Sequence, residues 1–343
     1  VNRATQAQRQ PGSNLQPFLH AAALDAGFTA ASLNTDAPIV MEAASLEGIW
    51  RPENDGGRFF GPTRLRWALT KSRNLVSIRL LQQLGIRNFI NYAQSLGFDT
   101  ADFAPDLSLA LGTHAMSPLE LAGAYAMLAN GGYRIEPFLI ERVEDLSGEV
   151  VYRADPPTVC KRCGEVEAGT EEAGEELSME EILGGQDTRR EAERVMDERV
   201  NFIIDDILRD VIKLGTGRRA LVLERGDIAG KTGTTNGPMD AWFSGYNPEL
   251  VTTTWVGFDN YTPLGRREFG GTAALPIWID FMREGLRDMP EASRRLPPGI
   301  SHVRIDPTTG LLAPAGQRDA IFEYFRSEKI PETSDTGEGP GRL

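Results

Sequence analysis

One run in the second half of the chain constrains the fold most: residues 227–236, with the sequence DIAGKTGTTN. Glycines on both sides of Lys231 and Thr232 remove side-chain bulk where another group must approach the backbone closely. Two runs rich in aromatic and β-branched residues follow, at 241–246 and 251–258. Residues of these types favour strands, so the region predicts an antiparallel meander whose first strand forms a sheet edge facing a reaction site.

The length and charge of the chain limit its class. A chain of 343 residues suggests one large domain or two small ones. Its net charge of −13 argues against nucleic acid as a main partner. The chain contains no run of about 18 apolar residues and does not open with a signal peptide. The opening Val1-Asn-Arg-Ala-Thr-Gln is typical of a chain interior, so we expect a fragment of a longer protein.

Two cysteines, Cys160 and Cys163, form a CxxC pair. Such a pair can be half a zinc site, a redox pair or a local disulfide. Zinc requires about four ligands, and the three histidines are scattered along the chain. The sequence therefore favours a local bridge or two free thiols, with no metal site.

A helix is predicted from Ser13 to about Ala26, because apolar residues recur there at helical spacing. Ser13 would lie at its N-terminus, with Pro17 in the first turn. Free N–H groups and the helix dipole favour developing negative charge at that position, which suits a nucleophile. Serine is also a common N-cap with no other role, so both interpretations stay open.

A second helical region is predicted from Pro62 to about Leu84, interrupted by the polar run 71–74. Because buried polar groups need partners, Ser72 and Asn74 are either exposed or face a site. A capping-box pattern at Ser117 starts a helix that we expect to end near Asn130. Residues 133–152 are predicted to form two strands joined by a turn at 146–148.

The remaining chain divides by composition. Residues 156–199 form an acidic insertion with many Glu and Gly residues, which we expect to be a solvated excursion. Amphipathic helices are predicted at 200–214 and 274–289, and a strand near Val303. The expected division is 1–155 and 200–326 as two parts of one domain, the insertion between them, and a disordered tail at 327–343.

Three short motifs stand in chain order: Ser13, the triplet Ser72-Arg73-Asn74, and Lys231-Thr232-Gly233. With the longer runs NRATQ (2–6), RQPGS (9–13), GTGR (215–218), GKTGTTN (230–236), DAWFSGY (240–246) and WVGFD (255–259), the chain resembles the transpeptidase domain of Gram-negative class A (bifunctional) penicillin-binding proteins. The likeness covers about residues 1–325.

The resemblance implies an α+β fold, an α/β/α sandwich with an antiparallel sheet flanked by helices, shared with serine β-lactamases. In that family, further sheet strands and a glycosyltransferase domain precede the residues that match Asn2. We therefore expect the N-terminal strands to be missing and the isolated chain to be poorly stable.

The implied chemistry is acyl transfer without a cofactor. Ser13 would attack the penultimate D-alanine carbonyl of a peptidoglycan stem peptide, and the acyl group would pass to an amine of a second strand. Backbone N–H groups of Ser13 and Thr234 would form the oxyanion hole. Ser72 and Asn74 would relay a proton and hold the substrate amide. Lys231 would act electrostatically, while Thr232, Gly233 and Thr234 would bind the terminal carboxylate of the substrate or of an inhibitory β-lactam.

Gln16 departs from the family pattern. The pattern requires Ser-x-x-Lys, and Gln16 occupies the position of its lysine. An amide can form hydrogen bonds but cannot accept a proton near neutral pH. Loss of a positioned general base typically lowers a rate by about 10²–10⁴. The substitution indicates either a transpeptidase disabled or slowed at its base, with Lys231 or a Ser72-bound water as a partial substitute, or a sequence artefact or engineered substitution in an otherwise competent site.

Two other functions remain alternatives. A serine β-lactamase shares these motifs, but the sequence offers no convincing deacylation base. A non-catalytic module for cell-wall assembly would keep the cleft without acylation, and Gln16 favours that alternative. The resemblance also implies a location on the periplasmic side of the inner membrane, through an anchor outside this sequence, with cell-wall synthesis proteins as further partners.

Overall fold

The computed structural model describes residues 2–43, 48–159 and 190–333. Its α-helices are α1 Arg3–Gln6, α2 Gln16–Asp25, α3 Leu65–Thr70, α4 Asn74–Leu84, α5 Ile86–Ser95, α6 Pro118–Ala129, α7 Glu198–Lys213 and α8 Leu275–Gly285. Its strands are β1 Leu33–Asp36, β2 Met41–Ala43, β3 Gly48–Trp50, β4 Gly61–Arg64, β5 Arg142–Glu144, β6 Val150–Arg153, β7 Ala229–Thr234, β8 Asp240–Asn247, β9 Leu250–Gly257, β10 Ile300–Ile305 and β11 Ile321–Arg326. Short 3₁₀ turns occupy Gly12–Leu15, Leu107–Leu111, Arg218–Leu223 and Ser327–Lys329.

The predicted meander is present as the antiparallel sheet β7-β8-β9. Lys231 pairs with Ser244, and Phe243 pairs with Thr254 on the other side of the central strand. Within the described residues, β7 is an edge strand of this sheet. The sequence prediction of an edge strand is therefore confirmed.

The central strand β8 is buried along its whole length because both of its faces are covered. Trp242 and Tyr246 lie in the main apolar core with α2, α6 and α7. Phe243 points to the opposite face and packs on Trp278 of α8, with ring centroids 4.9 Å apart. This alternation follows from the two-residue period of a strand. The result is a sheet between two helical layers.

The N-terminal segment supplies the central helix of the main core. Every α2 residue except Asp25 is buried, so α2 lacks the polar face of a surface helix. Ser13 lies in the 3₁₀ turn that leads into α2, and Pro17 lies in the first turn of that helix, as the sequence predicts.

The region around Pro62 differs from the prediction. Pro62 lies in strand β4 and faces Thr35 of β1, and helix α3 begins only at Leu65. Proline has no N–H to donate, yet it is tolerated in a two-stranded pair where one side of the strand stays open. The interruption predicted at 71–74 is confirmed, because α3 ends at Thr70 and α4 begins at Asn74.

Other boundaries shift modestly. Ser117 forms the predicted capping box, and its helix ends at Ala129. Of residues 133–152, strands form only at 142–144 and around 150–153. Cys160, Cys163 and most of the acidic insertion lie outside the described residues. The helices predicted at 200–214 and 274–289 are α7 and α8.

The chain stays ordered beyond 327, where a disordered tail was predicted. Residues 327–329 form a 3₁₀ turn, and the Ser301 and Ser327 hydroxyl oxygens lie 2.8 Å apart. Glu328 pairs with Arg199 at 3.1 Å. These contacts anchor the segment, so the prediction was wrong up to residue 333. Residues 334–343 lie outside the description.

A buried ionic cluster joins the C-terminal hairpin β10-β11 to the helices. Arg66 binds Glu323 at 2.6 Å, Asp206 at 2.7 Å and Asp210 at 2.8 Å. Burial acts to lower the Arg66 pKa, but the charge of Glu323, with those of Asp206 and Asp210, outweighs burial and raises it. Among residues 2–43, 48–159 and 190–333, no helix combines the length and apolarity that crossing a bilayer requires.

Candidate active site

Three segments that are distant in sequence meet at one cleft. Ser13 comes from the 3₁₀ turn before α2, Ser72 and Asn74 from the α3–α4 junction, and Thr232 and Thr234 from β7. These five side chains line a cleft with a volume of about 1070 Å³. The structure therefore brings together all three motifs singled out in the sequence.

The Ser13 turn packs directly against β7. A Cβ atom added to Gly233 would lie 2.3 Å from the Pro11 carbonyl oxygen, and one added to Gly12 would lie 2.7 Å from the Thr234 carbonyl oxygen. Gly12 also has a φ of +58°, which disfavours other residues. The close approach predicted at Gly233 is thus made by the chain's own serine turn, and it places the Thr234 backbone beside Ser13.

A chain of hydrogen bonds runs through the floor of the site. The Lys231 ammonium donates to the Ser72 hydroxyl at 2.7 Å and to the Thr232 carbonyl oxygen at 3.1 Å. Ser72 in turn donates to Oε1 of Gln16 at 3.2 Å, and Nε2 of Gln16 donates to Oδ1 of Asn74 at 3.3 Å. Gln16 therefore fills the expected lysine position and joins both polar residues of the second motif.

The Ser13 hydroxyl stands apart from this chain. Within the described residues it has no hydrogen-bond partner, although Gln16 lies one turn further along. The backbone N–H of Gln16 bonds the Ser13 carbonyl oxygen, so the two residues are locally linked. The arrangement holds the serine at the cleft surface without a base in contact with it.

Lys231 is fully buried, with 0% of its surface exposed. It has no carboxylate partner among the described residues, so burial lowers the pKa of Lys231 to about 7. Lys231 can therefore lose its proton near neutral pH. A neutral amine can accept a proton, which gives the site a titratable base despite Gln16.

His20 lies one helical turn beyond Gln16 and is also buried. Burial, with a smaller contribution from the charge of Lys231, lowers the pKa of His20 to about 3. Its Nε2 atom has no hydrogen-bond partner among the described residues. His20 is therefore neutral at physiological pH and adds no charge beneath the site.

The backbone at Ser72 is strained. Its φ is +55°, in the left-handed region that non-glycine residues seldom adopt. Such a residue typically costs of order 1–3 kcal/mol and persists only where its surroundings impose it. Here the conformation directs the Ser72 hydroxyl between Lys231 and Gln16. The strain thus coincides with the placement of a group that can relay protons.

Hydroxyl groups form the wall supplied by β7. The Thr232 and Thr216 hydroxyl oxygens lie 2.7 Å apart, and the Thr234 hydroxyl accepts a hydrogen bond of 3.0 Å from the Gly270 backbone N–H. Thr216 belongs to the turn that follows α7. The hydroxyls are thus fixed by neighbouring segments and face the cleft, which suits binding of a carboxylate.

Three residues that shape the site were not predicted from the sequence. Asn14 is buried beside Ser13, and its carbonyl oxygens accept hydrogen bonds from the Tyr125 hydroxyl at 3.0 and 3.2 Å. Oδ1 of Asn54 accepts from the Leu75 N–H at 3.3 Å and so fixes the start of α4. Thr216 lay within the quoted GTGR run but received no role. No local spacing pattern could have identified their long-range partners.

Most of the chain matches one known protein family. The family model described as penicillin binding protein transpeptidase domain matches residues 1–283. Penicillin-binding protein 1A of Pseudomonas aeruginosa is 50% identical over 96% of this chain. The chain belongs to the penicillin-binding protein transpeptidase domain family. Penicillin-binding protein 1A of Neisseria lactamica is 40% identical over 87% of this chain.

The crystal structure of Penicillin-Binding Protein 1A from Haemophilus influenzae has a TM-score of 0.86, with 38% identity, and covers 97% of this chain. The chain spans 42% of the Pseudomonas protein, 34% of the Neisseria protein and 50% of the Haemophilus chain. These comparisons confirm the resemblance to Gram-negative class A penicillin-binding proteins, a family of serine-type transpeptidases, and the helix-flanked antiparallel fold.

In the part of the chain that the structure describes, no group of three or more His, Cys, Asp or Glu side chains could hold a metal ion. The chemistry available in the cleft is that of a serine hydroxyl, a relay serine, a buried amine and hydroxyl and backbone donors.

Proposed function

We propose that this chain carries out slow D,D-transpeptidase chemistry at Ser13 on peptidoglycan stem peptides that end in D-Ala-D-Ala. The hydrogen bond from Lys231 to Ser72, combined with the Lys231 pKa of about 7, is the observation that supports this function most strongly. Since Gln16 cannot act as a base, Lys231 is the titratable base that remains in contact with the second motif.

In acylation, the Ser13 oxygen attacks the carbonyl carbon of the penultimate D-alanine. Ser72 accepts the Ser13 proton and passes its own proton to neutral Lys231, so charge is balanced. The backbone N–H groups of Ser13 and Thr234 stabilise the oxyanion. The C–N bond then breaks, and the Lys231–Ser72 pair returns a proton to the departing D-alanine amine.

In deacylation, the amine of a second stem peptide attacks the ester of Ser13. The same pair removes a proton from that amine and returns one to the Ser13 oxygen as the ester bond breaks. Asn74 would orient the substrate amide, and Thr232, Gly233 and Thr234 would bind its terminal carboxylate. A β-lactam would occupy the same place and act as an inhibitor. The reaction would take place on the periplasmic side of the inner membrane.

The second candidate function is a non-catalytic module in cell-wall assembly. Gln16 supports it, because this amide satisfies Ser72 and Asn74 without supplying a base. The cleft and its carboxylate-binding wall would then bind peptides without forming an acyl-enzyme. The two candidates differ in whether Ser13 ever becomes acylated.

Intact mass spectrometry with excess penicillin distinguishes them. The proposal expects a slowly formed adduct of one penicillin per chain, absent from Ser13→Ala. Absence of any adduct in the wild type, with a rapid adduct in Gln16→Lys, would establish the non-catalytic module. Absence in both proteins, each shown to be folded by circular dichroism, would reject acyl transfer by this chain.

A further inference from the structure

One edge of the cleft carries three cations, Lys71, Arg218 and Arg219, which we call the cationic edge. In the described part of the chain, none of the three forms an ion pair with a carboxylate. The Lys71 ammonium donates to the Leu214 carbonyl oxygen and lies 4.6 Å from the centroid of the Trp67 ring. Nη1 of Arg219 donates to the Gly271 carbonyl oxygen at 3.5 Å.

The cationic edge has no carboxylate partners within the described chain, although the sequence is rich in carboxylates. The sequence holds 49 Asp and Glu residues against 36 Lys and Arg. Several arginines elsewhere in the described residues are paired, such as Arg225 with Asp227 at 2.7 Å and Arg294 with Asp206 at 2.5 Å. At the cationic edge, partial burial, together with the charges of Arg73 and Arg218, lowers the pKa of Lys71. The like charges therefore oppose one another and no side chain of the described residues neutralises them.

The cationic edge is tied to the residues of the candidate site. Lys71 directly precedes Ser72. Arg218 and Arg219 follow Thr216, whose hydroxyl oxygen lies 2.7 Å from that of Thr232. Arg219 contacts Gly271 beside Gly270, whose N–H bonds the Thr234 hydroxyl. A ligand held by the β7 threonines would therefore extend beside these cations.

Charge differs along the lining of the cleft. Arg51, Glu53 and Asp55 also line it, on the loop that contacts Asn74 through the Glu53 carbonyl oxygen at 3.1 Å. A bound peptide thus meets only cations near one segment and a loop where carboxylates outnumber the one arginine near another. Such an arrangement favours one orientation of a charged ligand and disfavours the reverse.

We propose that Lys71, Arg218 and Arg219 form a subsite for a second carboxylate of the peptide substrate, one that is distinct from its C-terminal carboxylate. The inference rests on the proposed function, since it specifies the peptides that this cleft takes. The planar guanidinium groups match a carboxylate through paired N–H donors, and Lys71 adds a point charge. The site therefore selects acidic peptides over neutral ones of the same shape.

The test compares two peptides that end in D-Ala-D-Ala and differ at one upstream position, which is Glu in one and Gln in the other. Binding is measured by calorimetry in the Ser13→Ala background, where no acyl-enzyme can form. We expect the Glu peptide to bind about tenfold more tightly. The preference shrinks as salt is raised, because the subsite is partly exposed to solvent.

Two variants locate the preference. The double variant Arg218→Gln with Arg219→Gln should bind both peptides with nearly equal affinity. Lys213→Gln is the matched control, because Lys213 is an exposed cation at the end of α7 that does not line the cleft. It should retain the preference. Loss of the preference in Lys213→Gln as well would show a general charge effect and overturn the subsite.

Equal binding of the two peptides to the Ser13→Ala protein, or an unchanged preference in the double variant, would also overturn it. So would failure of both peptides to bind. These outcomes are separate from the proposed acyl transfer, which the penicillin adduct at Ser13 tests independently. A preference for the acidic peptide without any adduct would retain the subsite and reject the acyl-transfer function.

Discussion

The ammonium of Lys231 donates a 2.7 Å hydrogen bond to the hydroxyl of Ser72, and neither group has a carboxylate neighbour among the described residues to hold the lysine charged. Burial alone lowers the pKa of Lys231 to about 7. The family resemblance gives Lys231 an electrostatic role, and its burial makes it available as a proton acceptor as well, which is the substitute for a base at Gln16 that the sequence left open. The consequences reach both the reaction and the stability of the chain.

The pH dependence of acylation should report Lys231. Its neutral fraction increases as pH rises through about 7, so the acylation rate should increase with pH and level off above that value. The measurement is the second-order rate constant for penicillin acylation between about pH 5.5 and about pH 9. Lys231→Arg is the control, because a guanidinium does not deprotonate in this range and should abolish the rise. A rate that falls with pH would contradict a neutral Lys231 base.

The substitution Gln16→Lys should accelerate acylation by about 10²-fold or more, because it returns an amine to the turn beside Ser13. The new amine would lie in a fully buried position near Lys231, so mutual repulsion keeps one of the two neutral at pH 7. The time course of the penicillin adduct measures the effect. Gln16→Met introduces a side chain of similar size to lysine that is not a base, so the acylation rate should stay unchanged or fall. A gain in rate equal to that of Gln16→Lys would exclude proton transfer as the cause.

Lys231→Met should stabilise the protein while abolishing acylation. In the unfolded chain, Lys231 has an ordinary pKa of 10.5, and in the folded chain it has about 7. Between these values the unfolded state binds more protons, so the wild type gains stability as pH rises from 7 towards 10.5 and is penalised fully below 7. We expect the free energy of unfolding of Lys231→Met to exceed that of the wild type by about 1–2 kcal/mol at pH 6.

The same comparison at pH 9 is the check on that prediction. The advantage of Lys231→Met should shrink there, since most of the folded wild-type lysine is then neutral. Thermal unfolding of both proteins at the two pH values gives the difference in their free energies of unfolding. The titration of all other groups is common to both proteins and cancels in this difference. An advantage that stays constant with pH would mean that the burial of charge is not its source.

Glu323→Gln should destabilise the fold by about 3 kcal/mol, because removing one partner leaves the charge of Arg66 incompletely compensated. Glu323 is fully buried and binds Arg66 at 2.6 Å. Glu328→Gln is the matched control, since its 3.1 Å pair with Arg199 is partly exposed and should contribute less than about 1 kcal/mol. Urea unfolding measures both; equal effects would show that burial of the Arg66 cluster is unimportant.

The secondary structure around the site was largely predictable from local patterns. The aromatic and β-branched residues of 241–246 predicted a strand, and Ser117 with Glu120 predicted a helix start; the structure confirms both. Pro62 was misplaced, because apolar spacing extended the helical pattern back into a segment that pairs with β1. Pairing between distant segments overrides such a local preference.

The sequence by itself determined the family, the three motifs and the presence of Gln16 where the family has a lysine, because these depend on residue identity and spacing alone. The tertiary structure decided what those residues do. The burial of Lys231, its contact with Ser72, the left-handed φ of Ser72 and the grouping of Lys71 with Arg218 arise from segments more than a hundred residues apart. The dielectric surroundings and partners of a side chain are properties of the packed molecule, so no local pattern can supply them.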